Sequence, residues 1–369
     1  MKKGLLDFDF RSLVLVFIAF IGNGQIMGVD VVLLLLPLAV ILQLRDRWVI
    51  QANSVLPMFI VILILTLTIV RAPAVGIPYF ESYALWPIKA LFLMLLLTFG
   101  RDLDWPLGNM IALSLICVLL IAVGEVQDGR LISVFGPNML YRIFGLLLFL
   151  SAMQYFEKQV GSRILFVGFA AFSITASLLT GSTGALLVIA AILFIVSLRI
   201  SKLLSFMVIG ASLYWIMTSG IMSGTFTVGV NAPTTLTRLI YKSTTVMVSD
   251  RFLGWIDIAR SPFSLIGYAH SDFSNIWTYG FEYPHNLFVE LYGFYGLPGL
   301  ALVLIIAVAI TRSIALALQG DIIAMTFLVL TIGSMLSGDL SDNYGVVGLA
   351  CGLLLRSAHS RSPKFLDGH

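Results

Sequence analysis

The stretch VLPMFIVILILTLTIV, residues 55–70, carries no charged side chain. It approaches the roughly 17–25 apolar residues that a helix needs to cross about 30 Å of hydrocarbon. Comparable apolar runs recur at 107–123, 164–179 and 300–310. Across 369 residues, 59% of the side chains are hydrophobic, only 11% are charged, and the mean hydropathy is +1.01. Because soluble chains do not have this composition, the sequence predicts an all-α integral membrane protein.

We expect about twelve transmembrane helices in a single domain, residues 1–369. Their predicted positions are 12–28, 30–44, 54–70, 85–99, 107–123, 140–156, 164–179, 183–198, 203–219, 285–310, 321–336 and 344–356. An even number of helices leaves both chain ends on the same side of the membrane.

The distribution of basic residues predicts that this side is the cytoplasm, because short loops rich in lysine and arginine are retained there during insertion. Short loops on the opposite side would carry only Arg71, Arg130 and Arg142. The expected cytoplasmic segments carry many more basic residues: Lys2, Lys3, Arg11, Arg45, Arg47, Arg101, Lys158, Arg163, Arg199, Lys202, Arg312, Arg356, Arg361 and Lys364.

Most of the remaining hydrophilic residues lie in one long segment, 220–284, which this topology places in the periplasm between the ninth and tenth helices. Its four basic residues are balanced by four acidic residues. Within it, the sequence WIDIARSPFSLIGY, residues 255–268, has amphipathic helical spacing that ends at Pro262 and Gly267. This pattern predicts a short helix on the membrane surface, followed by a turn.

The sequence predicts no metal site, no cofactor and no nucleic-acid partner. Cys117 and Cys351 are the only cysteines, each in an apolar run without a CxxC partner, so neither a disulfide framework nor a zinc site is expected. The net charge of +3 follows from the loop lysines and arginines. Asp339 and Asp342 come closest to an acidic pair, and a capped turn between two helices explains them better.

Glycines recur at helical spacing in two places. Gly293, Gly296 and Gly299 lie in the tenth predicted helix, and Gly348 and Gly352 form a GxxxG pair in the twelfth. Small residues at this spacing let two helix backbones approach closely, so both sets predict helix packing.

The stretch PHNLFVELYGFYGLPG, residues 284–299, begins where the long segment re-enters the membrane. It places His285 and Asn286 at the start of a helix and Glu290 further in. An imidazole titrates near neutral pH and suits a proton acceptor, and an ionisable group below the membrane surface is a functional candidate. Alternatively, His285 and Asn286 cap the helix and Glu290 pairs with a loop arginine.

Arginines are the second candidate group, because guanidinium matches phosphate oxygens with a fixed fork of donors. Arg238, Arg251 and Arg260 lie in the long segment, while Arg130 and Arg142 flank the other sizeable outer loop. Two loops could therefore converge on one anion. The alternative is that each arginine reaches the phosphates of membrane lipids.

Three local patterns resemble the bacterial O-antigen ligase and polymerase superfamily, which transfers polyprenyl-diphosphate-linked glycans. The first is PHNLFVELYGFYGLPG, similar to the family's His-Asn start, glutamate and spaced glycines after a long periplasmic loop. The second is RFLGWIDIARSPFSLIGYAHSDF (251–273), and the third is FGPNMLYRIFGLLL (135–148). One departure stands out: where family members often carry Ser-Arg-Gly, this chain has Thr183 in place of the arginine.

The resemblance implies a metal-independent, inverting glycosyl transfer at the periplasmic face of the inner membrane. His285 would accept the proton of the acceptor hydroxyl. Arg251 would bind the donor diphosphate, and Arg142 or Arg238 would replace the arginine missing at Thr183. Asn286, Glu290, Arg260 and Arg130 would support this site.

Three functions remain open at this point. A polymerase would extend a chain of lipid-linked repeat units, with a chain-length regulator protein as a further partner, and we favour it because it is the more widespread role. A ligase would move finished glycan onto lipid A core. A secondary transporter belongs to another class, and twelve helices with both ends inside are common in it.

Overall fold

The computed structural model describes residues 8–21, 25–26, 29–32, 35, 37–39, 55–71, 77–99, 105–127, 130–133, 136–157, 160–201, 207, 247–268, 286–335 and 342–355. These residues are mostly helical, which confirms the predicted all-α class. We label the helices α1 (Phe10–Phe20), α2 (Val55–Arg71), α3 (Ile77–Phe99), α4 (Leu107–Ala122), α5 (Gly136–Glu157), α6 (Val160–Leu179), α7 (Thr183–Ile200), α8 (Met247–Arg260), α9 (Leu287–Tyr295), α10 (Leu297–Leu318), α11 (Ile322–Ser334) and α12 (Tyr344–Leu355).

Seven of these helices, α2, α4, α5, α6, α7, α11 and α12, lie within a few residues of their predicted positions. The first predicted helix, 12–28, is too long, because α1 ends at Phe20 and the chain then forms a hairpin. In that hairpin, β1 (Gln25–Ile26) pairs antiparallel with β2 (Val29–Asp30). The helix predicted at 203–219 and most of the one at 30–44 lie outside the described residues. The number of helices in the whole chain therefore stays a prediction.

A single helix over 285–310 was predicted, and this prediction is wrong. The chain breaks at Gly296, whose φ of +58° favours glycine, and α10 starts afresh at Leu297 with proline in its first turn. The break is sharp, because a Cβ on Gly299 would lie 1.8 Å from the carbonyl oxygen of Leu291. Two helices therefore replace one, and α9 is free to take its own direction.

The amphipathic helix predicted in the long segment is present as α8, which starts earlier than expected, at Met247. Gly254 and Ile258, one turn apart, are buried, and α8 packs against α9. A turn follows at Leu265–Ile266, and Gly267 has a φ of +76°. Helix and turn are thus confirmed.

The predicted GxxxG packing is also confirmed. Helices α3 and α12 run side by side in the same direction, since Gly348 meets Ala90 and Gly352 meets Leu97. A Cβ on Gly348 would lie 2.8 Å from the Ala90 carbonyl oxygen, so only glycine permits this approach.

Contacts between distant residues define two ends of the helix bundle. At the end we call the arginine end, Asp9 before α1 exchanges hydrogen bonds with Asn109 at the start of α4. Three arginines lie at this end too. The guanidinium of Arg163 lies over the Tyr155 ring and that of Arg199 over the Phe156 ring. Arg312 donates a hydrogen bond to the Leu354 carbonyl.

At the opposite end α1 finishes and α12 begins, and the Tyr344 hydroxyl donates to the Ile18 carbonyl. We call it the hairpin end, since β3 (Glu125–Gln127) and β4 (Arg130–Ile132) form a second hairpin between α4 and α5.

Two described helices are long and apolar enough to cross a membrane by length and composition, within Asn138–Phe156 and Leu297–Leu318. They differ in surroundings, since 78% of the first apolar window is buried inside the protein but only 28% of the second. Helix α10 is therefore the less enclosed of the two, and Leu297, Leu304 and Val308 are exposed on it. Large apolar side chains are also exposed on α2, α4, α6 and α7.

Candidate functional site

Arg142 lies near the start of α5, at the hairpin end, and is fully buried. Its Nη1 donates to Asn343 Oδ1 over 2.8 Å, immediately before α12. Its side chain runs along Gly333 of α11, where a Cβ would lie 2.5 Å from Arg142 Nε. One buried guanidinium thus joins α5, α11 and the start of α12.

Asn286 performs the capping role that the sequence left open for it. Its Oδ1 accepts hydrogen bonds from the backbone N–H groups of Phe288 and Val289, at 3.0 and 3.2 Å. Its Nδ2 donates to the Met335 carbonyl, at the end of α11. The side chain therefore both starts α9 and fixes it to α11.

Glu290, in the first turn of α9, is fully buried. A carboxylate near a helix N-terminus is stabilised by the aligned peptide dipoles. Burying it otherwise costs free energy, so its position inside the bundle marks it as a functional candidate.

Two of the candidate residues each contact the end of α11, at different positions. Arg142 packs on Gly333, and Asn286 binds the carbonyl of Met335, two residues further on. At its other end, α9 reaches α2 and α3, since the Tyr295 hydroxyl lies 3.1 Å from both Trp86 Nε1 and Thr68 Oγ1. Helix α9 therefore crosses from α11 to α2 and α3.

The segment after α8 is attached to the break between α9 and α10. Tyr268 N donates to the Gly293 carbonyl over 2.8 Å, and Leu297 N donates to the Leu265 carbonyl over 2.9 Å. Gly267 and Gly296 face each other so closely that a Cβ on either would lie 2.3 Å from backbone atoms of the other segment. The second and first of the resembling patterns are thus in direct contact.

Sequence reasoning missed Lys89, which lies in α3 inside a predicted apolar helix. It is almost fully buried, and its ammonium lies 5.4 Å from the centre of the Tyr344 ring. Tyr344 follows Asn343, the partner of Arg142, so two buried cations flank the start of α12. The sign that could have revealed it is simple: a charged residue in the middle of an apolar run.

We use the name buried polar cluster for Lys89, Arg142, Asn286, Glu290 and Asn343. All five side chains are at most 5% exposed. Lys89 lies over the ring of Tyr344, which follows Asn343, the partner of Arg142. Arg142 and Asn286 each contact the end of α11, at Gly333 and at Met335. Glu290 follows Asn286 by one helical turn, and its N–H donates to the Asn286 carbonyl.

The other predicted site residues are either less buried or only partly described by the structure. Arg130 lies in β4 and is partly buried, whereas Arg260 is exposed at the end of α8. Arg251 belongs to α8, but its side chain lies outside the described part. His285 and Arg238 lie outside the described residues altogether. Thr183 is the first residue of α7, and its side chain lies outside the described part.

Among the described residues, no group of three or more histidine, cysteine, aspartate or glutamate side chains could hold a metal ion. Comparison of the chain with models of protein families and with curated proteins gives no match.

Proposed function

We propose that this chain is a bacterial inner-membrane glycosyltransferase that polymerises polyprenyl-diphosphate-linked glycan units at the periplasmic face. One observation carries the proposal. Two of the three resembling patterns are in direct contact, and the third, more than a hundred residues away in sequence, packs on the same helix end that the first one binds. Pattern 251–273 contacts pattern 284–299 at Gly267 and Gly296, and both Arg142 and Asn286 reach the end of α11.

We propose that the chain crosses the membrane about twelve times with both ends in the cytoplasm. Two features of the described helices support this. Arg163, Arg199 and Arg312 lie together at the arginine end, as expected of the cytoplasmic side. In addition, α10 is a 22-residue apolar helix that carries exposed large apolar side chains, Leu297, Leu304 and Val308, which a lipid environment would cover.

In the proposed reaction, His285 accepts the proton of the acceptor hydroxyl as that oxygen attacks the anomeric carbon of the donor. The bond from this carbon to the lipid diphosphate breaks, and the diphosphate leaves with the bonding electrons. Arginines stabilise the charge that develops on it, a role that metal ions fill in other enzymes.

The structure divides the arginines into two kinds. Arg142 is buried and bonded to Asn343, so it holds α5, α11 and α12 together and adds positive charge beneath the site. Direct contact with the diphosphate then falls to Arg251 on α8 and to Arg238. In this arrangement, Asn286 holds the start of α9 on α11, directly after His285 in the sequence.

A secondary transporter is the second candidate, because the broken helix at Gly296 and the buried charges of Lys89 and Glu290 are features of that class. A paired break in the first half of the chain would strengthen it. Among the described helices before Ser201, each is continuous. We therefore favour the enzyme. A ligase that transfers glycan to lipid A core uses the same chemistry with a different acceptor.

The test compares His285→Ala with His270→Ala, a control on the histidine of the predicted loop that precedes it. Both are expressed in cells that depend on this chain for polymer, and protein level and glycan ladders on gels are measured. We expect loss of the ladder for His285→Ala alone, at normal protein level. An unchanged ladder would refute the role of His285. Product appearing only as single-step transfer to lipid A core would instead identify a ligase.

A transporter is tested on the purified chain. Supplied with lipid-linked donor in detergent, where no compartments exist, an enzyme still makes polymer and a transporter makes none. Absence of polymer here, together with substrate uptake in sealed vesicles, would replace the enzyme with the transporter.

A further inference from the structure

The segment that follows α8 forms a closed and firmly held loop. The Tyr268 hydroxyl donates to the Pro262 carbonyl, and Ser264 Oγ donates to the Gly267 carbonyl over 2.8 Å. These bonds close the loop on itself. The two backbone bonds to the break between α9 and α10 then hold its base.

Despite this fixed base, the loop directs three large apolar side chains outward. Leu297, the first residue of α10, lies beside them, because its N–H donates to the Leu265 carbonyl. We call these four residues the apolar tip, and more than half of each is exposed: Phe263 58%, Leu265 65%, Ile266 53% and Leu297 52%. Large apolar side chains that stay exposed on a loop held by several hydrogen bonds indicate a surface that is covered in use.

The apolar tip continues along α10. Leu304 and Val308 follow Leu297 by seven and eleven residues, which places them on the same side of the helix, and both are exposed. On its other side, the tip adjoins the exposed Arg260, the last residue of α8. The apolar tip thus continues into an apolar helix face on one side and is followed by a cation on the other. This arrangement matches a phospholipid surface, in which apolar side chains contact hydrocarbon and the cation contacts phosphate.

We propose that the apolar tip inserts into the outer surface of the bilayer and that Arg260 binds lipid phosphate. This rests on the membrane part of the proposed function and adds a lipid contact to it. Because the tip follows α8 directly, its insertion sets α8 at the level of the lipid head groups. Arg251, on the same helix, is thereby held at the depth where the diphosphate of a membrane-anchored donor lies.

The test attaches an environment-sensitive fluorophore to single cysteines. Cys117 and Cys351 are first replaced by alanine, and Leu265→Cys, Leu304→Cys and Val126→Cys are then made separately. Val126 lies exposed on β3 and serves as the aqueous control, and Leu304 on α10 serves as the lipid control. The labelled full chains are placed in nanodiscs of phosphatidylethanolamine and phosphatidylglycerol that carry spin-labelled lipids with shallow or deep quenchers.

We expect blue-shifted emission at position 265 that the shallow quencher reduces most. Position 304 should be reduced most by the deep quencher, and position 126 by neither. A label at 265 that only aqueous iodide quenches would overturn the proposal. So would a label at 265 that neither iodide nor lipid quenchers reach, since that indicates cover by protein.

The control at position 304 separates this inference from the proposed function. Quenching at 304 without quenching at 265 would refute the inserted tip and leave the membrane topology standing. No lipid quenching at either position would refute both.

The role of Arg260 is tested with Arg260→Glu in the Leu265→Cys background. Reversing the charge beside anionic lipid should move the label outward, which lowers quenching by the shallow lipid. Arg260→Lys, which keeps the charge, should leave the quenching near its original level. Equal quenching in all three proteins would mean that Arg260 does not bind lipid phosphate.

Discussion

Replacing Gly333 by alanine tests whether the buried position of Arg142 matters, without changing Arg142 itself. The new Cβ would lie 2.5 Å from Arg142 Nε, 2.9 Å from its Cγ and 3.0 Å from its Cδ. These atoms are in the middle of a fully buried side chain, so they have little room to move aside. The backbone at Gly333 is not in the left-handed region, so alanine itself is tolerated there.

The expected cost follows from two opposing effects. Alanine in place of a helical glycine stabilises by about 0.5–1 kcal/mol, whereas overpacking a dense interior costs about 1–3 kcal/mol. If Arg142 is displaced enough to lose Asn343, a charge-assisted hydrogen bond worth about 1.5–3 kcal/mol is lost as well. Gly168→Ala in α6 is the matched control, since its Cβ would meet nothing within 4 Å. We expect Gly333→Ala to be less stable than this control by about 1–3 kcal/mol or more.

Thermal unfolding in detergent can be followed with a dye that fluoresces on reacting with thiols, because Cys117 and Cys351 are both buried until the chain unfolds. For 369 residues, each kcal/mol shifts the midpoint by roughly 1 °C. The ladder assay measures the same variants in cells. Equal midpoints and equal ladders for Gly333→Ala and Gly168→Ala would show that Arg142 is not held where we describe it.

Three further predictions follow from other parts of the site. Lys89→Met should lower the midpoint of thermal unfolding, and Lys89→Arg should lower it less, because it keeps the cation beside the Tyr344 ring. Tyr344→Leu should lower the midpoint less in the Lys89→Met background than in the original chain. Equal effects of Tyr344→Leu in both backgrounds would contradict the cation–π contact. Arg251→Lys should reduce polymer nearly as much as Arg251→Ala, because a point charge does not replace the fork of guanidinium; full activity would make this arginine structural. Chelator should leave polymer formation by the purified chain unchanged, and a loss restored by magnesium would contradict the metal-free mechanism.

Long apolar helices could be predicted from the sequence because their composition alone determines them. The apolar run 55–70 became α2 almost residue for residue. The amphipathic α8 was predictable too, since its spacing departs from that of the surrounding helices. In both cases, local sequence outweighs the rest of the fold.

The break at Gly296 was missed although its signs are local. Gly296 was assigned to helix packing, but the following Leu-Pro-Gly places proline in the first turn of a new helix. The hairpins were missed for another reason. Strands of two or three residues, such as β1 and β3, are too short to show the alternating pattern by which strands are recognised.

The buried polar cluster could be predicted only in part, because its members depend on partners far away in sequence. The sequence indicates Asn286 and Glu290 through their position at the predicted membrane re-entry, and Arg142 through its predicted loop. Asn343 had no such sign, since its role comes from a guanidinium 201 residues away. Spacing within one helix does not contain that information.

Lys89 shows how burial changes the meaning of a charge. In a loop, Lys89 would be one more basic residue for predicting on which side of the membrane that loop lies. In α3 it is instead buried inside the bundle, with its ammonium over the Tyr344 ring. Two buried cations, Lys89 and Arg142, then flank the turn before α12, while the buried carboxylate of Glu290 lies on α9. Helices that cross a membrane rarely carry such groups without a function, since each one costs desolvation, so the proposed topology makes these residues functional candidates. Lys89, Arg142 and Glu290 together carry a net positive charge, which favours an anionic group near the start of α12 and supports the proposal that the donor diphosphate binds at the hairpin end.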